Sequence, residues 1–273
     1  MKMNEITIEA GHSGRQYWRD LWRYRELFYF LAWRDILVRY KQTVIGVTWA
    51  VIRPVLTMVV LTIVFGRLAK MDSGGIPYPI LVFCGMLPWQ FFATAFSESG
   101  NSLVSNSGMI SKVYFPRLVV PFSSVITSLV DFMISFVLMA ILMVWYGHVP
   151  GSAVFLLPFF VFLAFATAFG AGLWISALMV RYRDFRFIVP FVVQFGLYIS
   201  PVGFSSNVVP EKWRLLYSLN PMVGVIDGFR WSILGERNIY WPGLGISVLI
   251  VAGVIASGIW YFRKTEKTFA DVI

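Results

Sequence analysis

Residues 151–180 read GSAVFLLPFFVFLAFATAFGAGLWISALMV and contain no charged side chain. The hydrocarbon core of a bilayer is about 30 Å thick, and a helix of roughly 20 apolar residues crosses it. A helix of this length in a soluble domain of ordinary size has charged residues on the face that contacts water. The stretch therefore predicts a transmembrane helix.

Further stretches of the same character take up most of the remaining chain. Arg53 is the only charge in 42–66 and Asp131 the only charge in 118–146, while 73–97, 187–210 and 238–262 have none. The sequence predicts an all-α polytopic membrane protein, a single transmembrane domain over 1–273 with six helices. We place these spans at 44–66, 77–97, 118–146, 152–180, 185–202 and 240–262.

Composition supports this class and excludes others. Of the 273 residues, 58% are apolar and 14% charged, and the mean hydropathy is +0.71, too apolar for an ordinary soluble or disordered chain. Cys84 is the single cysteine, and His12 and His148 lie far apart, so we expect no metal site. In a membrane protein a net charge of +9 marks cytoplasmic loops more often than nucleic-acid binding.

The distribution of basic residues predicts the orientation. With the N-terminus in the cytoplasm, the inside segments hold 16 of the 23 Lys and Arg residues and the outside segments hold 6. The first 43 residues lack the uncharged apolar stretch of a signal peptide. We therefore expect both termini in the cytoplasm.

The segment 17–41 predicts one or two helices at the membrane interface. Aromatic and apolar residues recur on one helical face, with basic residues on the other. Aromatic rings favour the headgroup region and basic side chains favour anionic lipid. A soluble helix packed on a partner is the alternative. The apolar face holds Trp18, Leu21, Trp22, Tyr29, Trp33, Ile36 and Tyr40, and the basic face Arg19, Arg23, Arg34 and Lys41.

Two of the segments between spans are longer than plain connectors. The cytoplasmic segment 98–117 can begin as an amphipathic helix, which suits docking of a soluble partner; a mere connector is usually shorter. The segment 201–237 is too polar to span but rich in Trp, Tyr and Leu. It predicts two short helices, near 210–219 and 222–234, that dip back towards the membrane. A plain external loop is the alternative.

Charges and aromatic rings inside the spans are candidate functional groups. Arg53 and Asp131 either line a polar conduit or pair across helices, or else have structural roles only. Rings such as Trp89 and Tyr198 combine an apolar face with a polar group and suit a sugar polymer, although core packing explains most of them.

Motifs of enzymatic chemistry are missing from the sequence. It contains no G-x-x-x-x-G-K-[ST] phosphate-binding loop and no G-x-S-x-G elbow, and Asp131 is alone in its span. We therefore expect a transport subunit rather than an enzyme.

Short motifs along nearly the whole chain resemble those of ABC-2 permeases of the polysaccharide export family. Each motif is weak alone, and their common order makes the resemblance specific. They are RYKQTVIG at 39–46, WA at 49–50, RPVL at 53–56, VFG at 64–66, FCGMLPWQFF at 83–92, ISKVYFPR at 110–117, RYRD at 181–184, SPV at 200–202, NPM at 220–222 and FAD at 269–271.

The resemblance implies a homodimer in a bacterial inner membrane, bound to an ABC ATPase that carries the ATP and Mg. This chain would bind no cofactor of its own and no nucleic acid. It would export a lipid-linked polysaccharide of the O-antigen type, with membrane lipids around it. The implied parts are a cytoplasmic coupling helix within 98–117 and re-entrant gate helices within 203–237, between spans five and six.

The resemblance also assigns residues to roles. The ATPase-coupling residues are Glu98, Asn101, Lys112, Tyr114, Phe115, Pro116 and Arg117. The conduit and gate residues are Trp49, Arg53, Trp89, Phe92, Phe195, Tyr198 and Pro201. The interface helix contributes Trp18, Trp22, Trp33, Arg34 and Arg39.

Other cargoes and other classes remain open at this point. An ABC-2 exporter of teichoic acid, capsule, a drug or a small lipid would have the same fold. A membrane-embedded transferase would need a catalytic arrangement that Glu211, Asp227 and Glu236 do not provide convincingly. A pure scaffold would not need spans interrupted by proline and glycine.

Overall fold

The computed structural model describes residues 14–41, 46–235 and 239–269, and within these ranges the chain is helical without strands. Three parts of the predictions lie outside the described residues. They are residues 44 and 45 of the first span, residues 236 and 237 of the gate segment, and residues 270 and 271 of the last motif. The eleven α-helices of the described part are α1 Gly14–Arg23, α2 Arg25–Lys41, α3 Gly46–Leu61, α4 Tyr78–Ser105, α5 Ser107–Ile110, α6 Val119–Trp145, α7 Leu157–Arg181, α8 Phe185–Ile199, α9 Glu211–Tyr217, α10 Pro221–Leu234 and α11 Trp241–Thr265.

Five helical segments of the described part are long and apolar enough to cross a membrane. They are Thr48–Leu68, Tyr78–Ser105, Val119–Trp145, Ser152–Arg181 and Trp241–Thr268. The all-helical prediction is thus confirmed for the described residues, and spanning helices are present.

The predicted fifth span is shorter than expected. The 15 residues of α8 measure only about 22 Å along the axis. A residue that precedes proline is disfavoured in the helical region. Ser200, before Pro201, is extended, with φ −81° and ψ 152°. The helix therefore ends at Ile199, not at 202.

The second spanning helix is longer than predicted. α4 continues through Ser105, so that Glu98 and Asn101 lie on its last turns and not in a separate coupling helix. Only the four-residue α5 follows before the loop to α6. The charge at Glu98 ends the apolar run but does not end the helix, because Glu is a good helix former.

α4 is the central helix of the bundle. It packs along α6 and α7 and also contacts α10, α3 and α8. Small residues allow α4 and α7 to approach closely: a Cβ on Gly172 would lie 2.5 Å from the Ser99 Oγ. By contrast, α8 exposes most of its apolar side chains, and α3 exposes Trp49, Ile52, Leu56, Val59 and Val60.

The N-terminal segment forms two helices, which are separated by a turn at Tyr24. α2 packs against α6, with the rings of Phe28 and Phe122 5.1 Å apart. Trp22 and Trp33 are exposed on the outside. The single aromatic face predicted for 17–41 is therefore divided, since Tyr40 at its end contacts α6.

Candidate functional site

A charged cluster joins three helices near the middle of α6. The Arg39 guanidinium on α2 lies 2.5 Å from the Asp131 carboxylate on α6 and 2.7 Å from the Glu98 carboxylate on α4. The Tyr40 hydroxyl donates a hydrogen bond to the second oxygen of Asp131. Asp131 thus has a cation and a hydroxyl as partners, which offset the cost of removing its charge from water.

Partial burial sets the electrostatics of this cluster. The side chains of Arg39 and Asp131 are 27% and 30% exposed, whereas Glu98 is 49% exposed. Burial, followed by the hydrogen bond and negative charge of Asp131, raises the pKa of Tyr40. The hydroxyl therefore stays protonated at neutral pH and remains a donor to Asp131.

The cluster borders a cavity of about 650 Å³ between α2, α3, α4, α6 and α8. Its walls combine aromatic rings, amide and hydroxyl groups, two arginines and the carboxylates of Glu98 and Asp131. This mixture offers apolar faces and hydrogen-bonding groups to one ligand. The polar and aromatic lining includes Arg39, Tyr40, Trp49, Arg53, Thr57, Trp89, Gln90, Thr94, Ser128, Asp131, Ser135 and Gln194.

Arg53 contributes to this cavity a guanidinium that forms no ion pair with the described residues. Its guanidinium lies 6.0 Å from the centre of the Trp49 ring. The ion pairs within the described residues, Arg34–Asp35, Arg39–Glu98 and Arg39–Asp131, do not include it. The pairing of Arg53 with Asp131, left open by the sequence, is not formed. Arg53 can therefore attract an anionic group.

The predicted conduit residues lie in four different places. Trp49, Arg53 and Trp89 line the cavity. Phe92 is 9% exposed and packs between Trp89 and Phe96 in the core. Phe195 and Tyr198 are exposed on α8, and Pro201 is buried in the turn that follows α8.

The predicted coupling segment separates into an exposed part and an anchored part. Lys112, Val113 and Tyr114 are exposed. Phe115 is 4% exposed and belongs to a buried cluster with Leu31, Leu118, Phe262 and Phe269. Pro116 is also buried. Asn101 donates to the Ser97 carbonyl of its own helix.

Arg117 contacts the C-terminal end of the last span. Its backbone N–H donates to the Glu266 carboxylate at 2.7 Å, and its guanidinium donates to the Glu266 carbonyl. The guanidinium also lies 6.0 Å from the centre of the Phe269 ring. The loop before α6 is therefore tied to the end of α11.

The predicted interface residues do not share one environment. Trp18, Trp22 and Trp33 are exposed. Arg34 pairs with its neighbour Asp35 and donates to the Asn106 side chain after α4. Arg39 belongs to the charged cluster.

Arg230 is a buried cation that the sequence analysis missed. It lies on α10, is fully buried, and donates to the backbone carbonyls of Val202 and Phe204. In the sequence it is one basic residue in a polar segment, counted with the outside charges. One signal was available in the sequence. At helical spacing Arg230 shares a face with the apolar residues Ile226, Phe229 and Ile233, which indicates a buried position.

The chain is similar in sequence to known membrane transport proteins. Residues 26–234 match the model of the family described as ABC-2 type transporter. An "O-antigen export system permease protein RfbA" of Myxococcus xanthus is 30% identical over 260 residues, 93% of this chain and 98% of that protein. One of Klebsiella pneumoniae is 27% identical over 252 residues, 91% and 95% of the two chains.

A more distant relative is named for a different cargo. The "Polysialic acid transport protein KpsM" of Escherichia coli is 21% identical over 241 residues, 86% of this chain and 91% of that protein. The family match spans well over half of the chain and includes the cavity, the charged cluster and Arg230. This chain belongs to the ABC-2 type transporter family of membrane permeases.

Proposed function

We propose that this chain is the permease subunit of an ABC exporter that moves a lipid-linked polysaccharide of the O-antigen type across the bacterial inner membrane. The observation that carries the proposal is its similarity, over 93% of its length, to a permease named for O-antigen export. Transport, and not enzymatic conversion of the cargo, is then the task of this chain.

The cavity supports a cargo that contains both sugar and phosphate. Trp49, which is exposed, offers a ring face to the C–H surfaces of sugars, and Gln90 and Gln194 offer hydrogen bonds to hydroxyl groups. The Arg53 guanidinium supplies a charge for the phosphate that joins polymer to lipid. Shallow contacts of this kind let a repeating polymer move without a deep binding well.

Energy comes from a separate ATPase subunit, which binds the ATP and Mg. The sequence has no phosphate-binding loop of its own. The exposed residues Lys112, Val113 and Tyr114 form the docking surface for that subunit. Movement there reaches the spans through Phe115 in the buried cluster and through the contact of Arg117 with Glu266.

Two copies of the chain form the export path. The helices α3 and α8, which both contribute residues to the cavity wall, also carry exposed apolar side chains. A second copy that covers these helices would close the cavity into a conduit between protomers. In this arrangement both termini are cytoplasmic. The short α8 and the turn that follows it together form one further membrane span, which completes the six. The helices α9 and α10 form the outer gate.

Capsular polysaccharide is a second candidate cargo, because a relative over 86% of the chain is named for polysialic acid transport. Deletion of the gene distinguishes the cargoes. We expect lipid-linked polymer to accumulate inside the cell and to disappear from the surface, with recovery by the wild-type gene and a smaller recovery by Arg53→Gln. The chemistry of the accumulated polymer identifies the cargo. Normal surface polysaccharide in the deletion strain would refute an export role.

A further inference from the structure

The turn at 199–204 is held by side chains from several helices. The Tyr217 hydroxyl donates to the Ile199 carbonyl at 2.8 Å, and the Asn220 amide donates to the Ser200 hydroxyl at 2.9 Å. The Tyr78 hydroxyl donates to the Gly203 carbonyl at 2.7 Å. Polar backbone groups away from water need such partners when no regular structure supplies them.

Arg230 makes the remaining contacts with this turn. Its Nη1 donates to the Phe204 carbonyl at 2.6 Å, and its Nη2 donates to the Val202 carbonyl at 2.9 Å. The same Nη2 lies 3.5 Å from the Leu81 carbonyl on α4. One guanidinium therefore connects α10, α4 and the end of α8, which a lysine ammonium cannot do with the same fork of donors.

Space for this guanidinium is provided by a glycine. A Cβ on Gly85 of α4 would lie 2.8 Å from the Arg230 Nη2 and 2.9 Å from the Val202 carbonyl oxygen. Both distances are shorter than the contacts that a real Cβ makes. Gly85 and Arg230 thus form one close-packed unit with the turn, in which Arg230 and Val202 are fully buried.

We propose that Arg230 is a positioning residue for transport, which holds the 199–204 turn against α4 so that α8 and α10 move as one body. The inference rests on the proposed function, because α8 contributes Val193, Gln194 and Leu197 to the cavity wall. When the guanidinium is removed, the turn opens and the end of α8 loses its fixed position. The part of the cavity wall that α8 contributes then no longer moves together with α10 and α4.

Cysteine labelling tests whether Arg230 holds the 199–204 turn, and it needs no knowledge of the cargo. Cys84 is buried, so the full-length chain in lipid nanodiscs gives a low background with a water-soluble maleimide. A cysteine at Val202, which is 0% exposed, reports opening of the turn. We expect Arg230→Met to accelerate labelling of this cysteine at least tenfold, Arg230→Lys to give an intermediate rate, and Gly85→Ala to accelerate it through the clash.

Gly245→Ala is the matched control, since a Cβ there meets no atom within 4 Å. It should leave the labelling rate unchanged. Gel filtration shows whether each variant elutes as a single folded species. If Arg230→Met misfolds, Gly85→Ala still tests the contact between Arg230 and the turn. Labelling of Val202→Cys that stays slow in both folded variants would overturn the proposal. Failure of the polymer-export proposal would instead appear as normal surface polysaccharide in the deletion strain, whatever the labelling shows.

Discussion

Replacement of Asp131 by asparagine tests the charged cluster most sharply. Asp131 accepts hydrogen bonds from the Arg39 guanidinium, at 2.5 Å, and from the Tyr40 hydroxyl. A hydrogen bond to a charged group contributes about 1.5 to 3 kcal/mol to the free energy of unfolding. Since both charged side chains are more than a quarter exposed, solvent screening reduces this figure. Asparagine also keeps one acceptor oxygen, so we expect a loss of about 2 kcal/mol for Asp131→Asn.

Thermal unfolding of the purified chain in detergent measures this loss. Each kcal/mol corresponds to roughly 2 to 4 °C in Tm for a chain of this order of size, so Asp131→Asn should lower Tm by about 4 to 8 °C. Tyr40→Phe removes one hydroxyl and should cost about 1 kcal/mol. The double variant should lose less than the sum, because both changes weaken the same hydrogen bond between Tyr40 and residue 131.

Tyr29→Phe is the control, since that ring is 70% exposed and stacks on Trp33. It should leave Tm unchanged. Alkaline pH gives a second signature. The raised pKa of Tyr40 means that its contribution is present below pH about 10 and is lost as the pH rises further, where the unfolded chain ionises first. An unchanged Tm in Asp131→Asn, or full additivity with Tyr40→Phe, would refute this description of the cluster.

The other parts of the structure give further expectations. Phe115→Ala should lower the free energy of unfolding by about 3 kcal/mol through a cavity, whereas Tyr114→Ala should keep Tm and weaken co-purification of the ATPase subunit. Arg53→Gln should leave Tm unchanged and reduce the rate of export, and an unchanged rate would remove Arg53 from the path. Gly172→Ala should destabilise by about 1 to 3 kcal/mol, because its Cβ would meet Ser99, while Gly253→Ala, with open space around it, should not.

Much of the fold follows from the sequence because long uncharged runs have few alternatives to spanning helices. The helical character of 118–146 and 152–180 needed only length and apolarity, and the residues of α6 and α7 agree closely with those runs. The end of α8 was missed although Ser200 and Pro201 carry the signal. The extension of α4 was missed because the charge at Glu98 was interpreted as the end of the span. The helix predicted at the start of 98–117 is instead a continuation of α4.

The candidate site was less accessible to sequence reasoning. The rule that intramembrane charges have partners singled out Asp131. Its partner Arg39 lies 92 positions earlier, and only the packing of α2 on α6 brings the two together. Arg230 was passed over because it was counted with the outside charges, whereas in the core its Nη1 and Nη2 donate to backbone carbonyls of the turn. Such contacts between distant residues leave no local pattern.

The dependence of transport on a separate ATPase is the central claim, and reconstitution measures it directly. The chain is placed in lipid vesicles with lipid-linked polysaccharide, with or without the partner ATPase, and movement of the polymer to the other leaflet is followed after addition of ATP and Mg. We predict movement only when ATPase and ATP are both present, and none when the lysine of the partner's phosphate-binding loop is replaced. Equal movement by the chain alone would contradict the account.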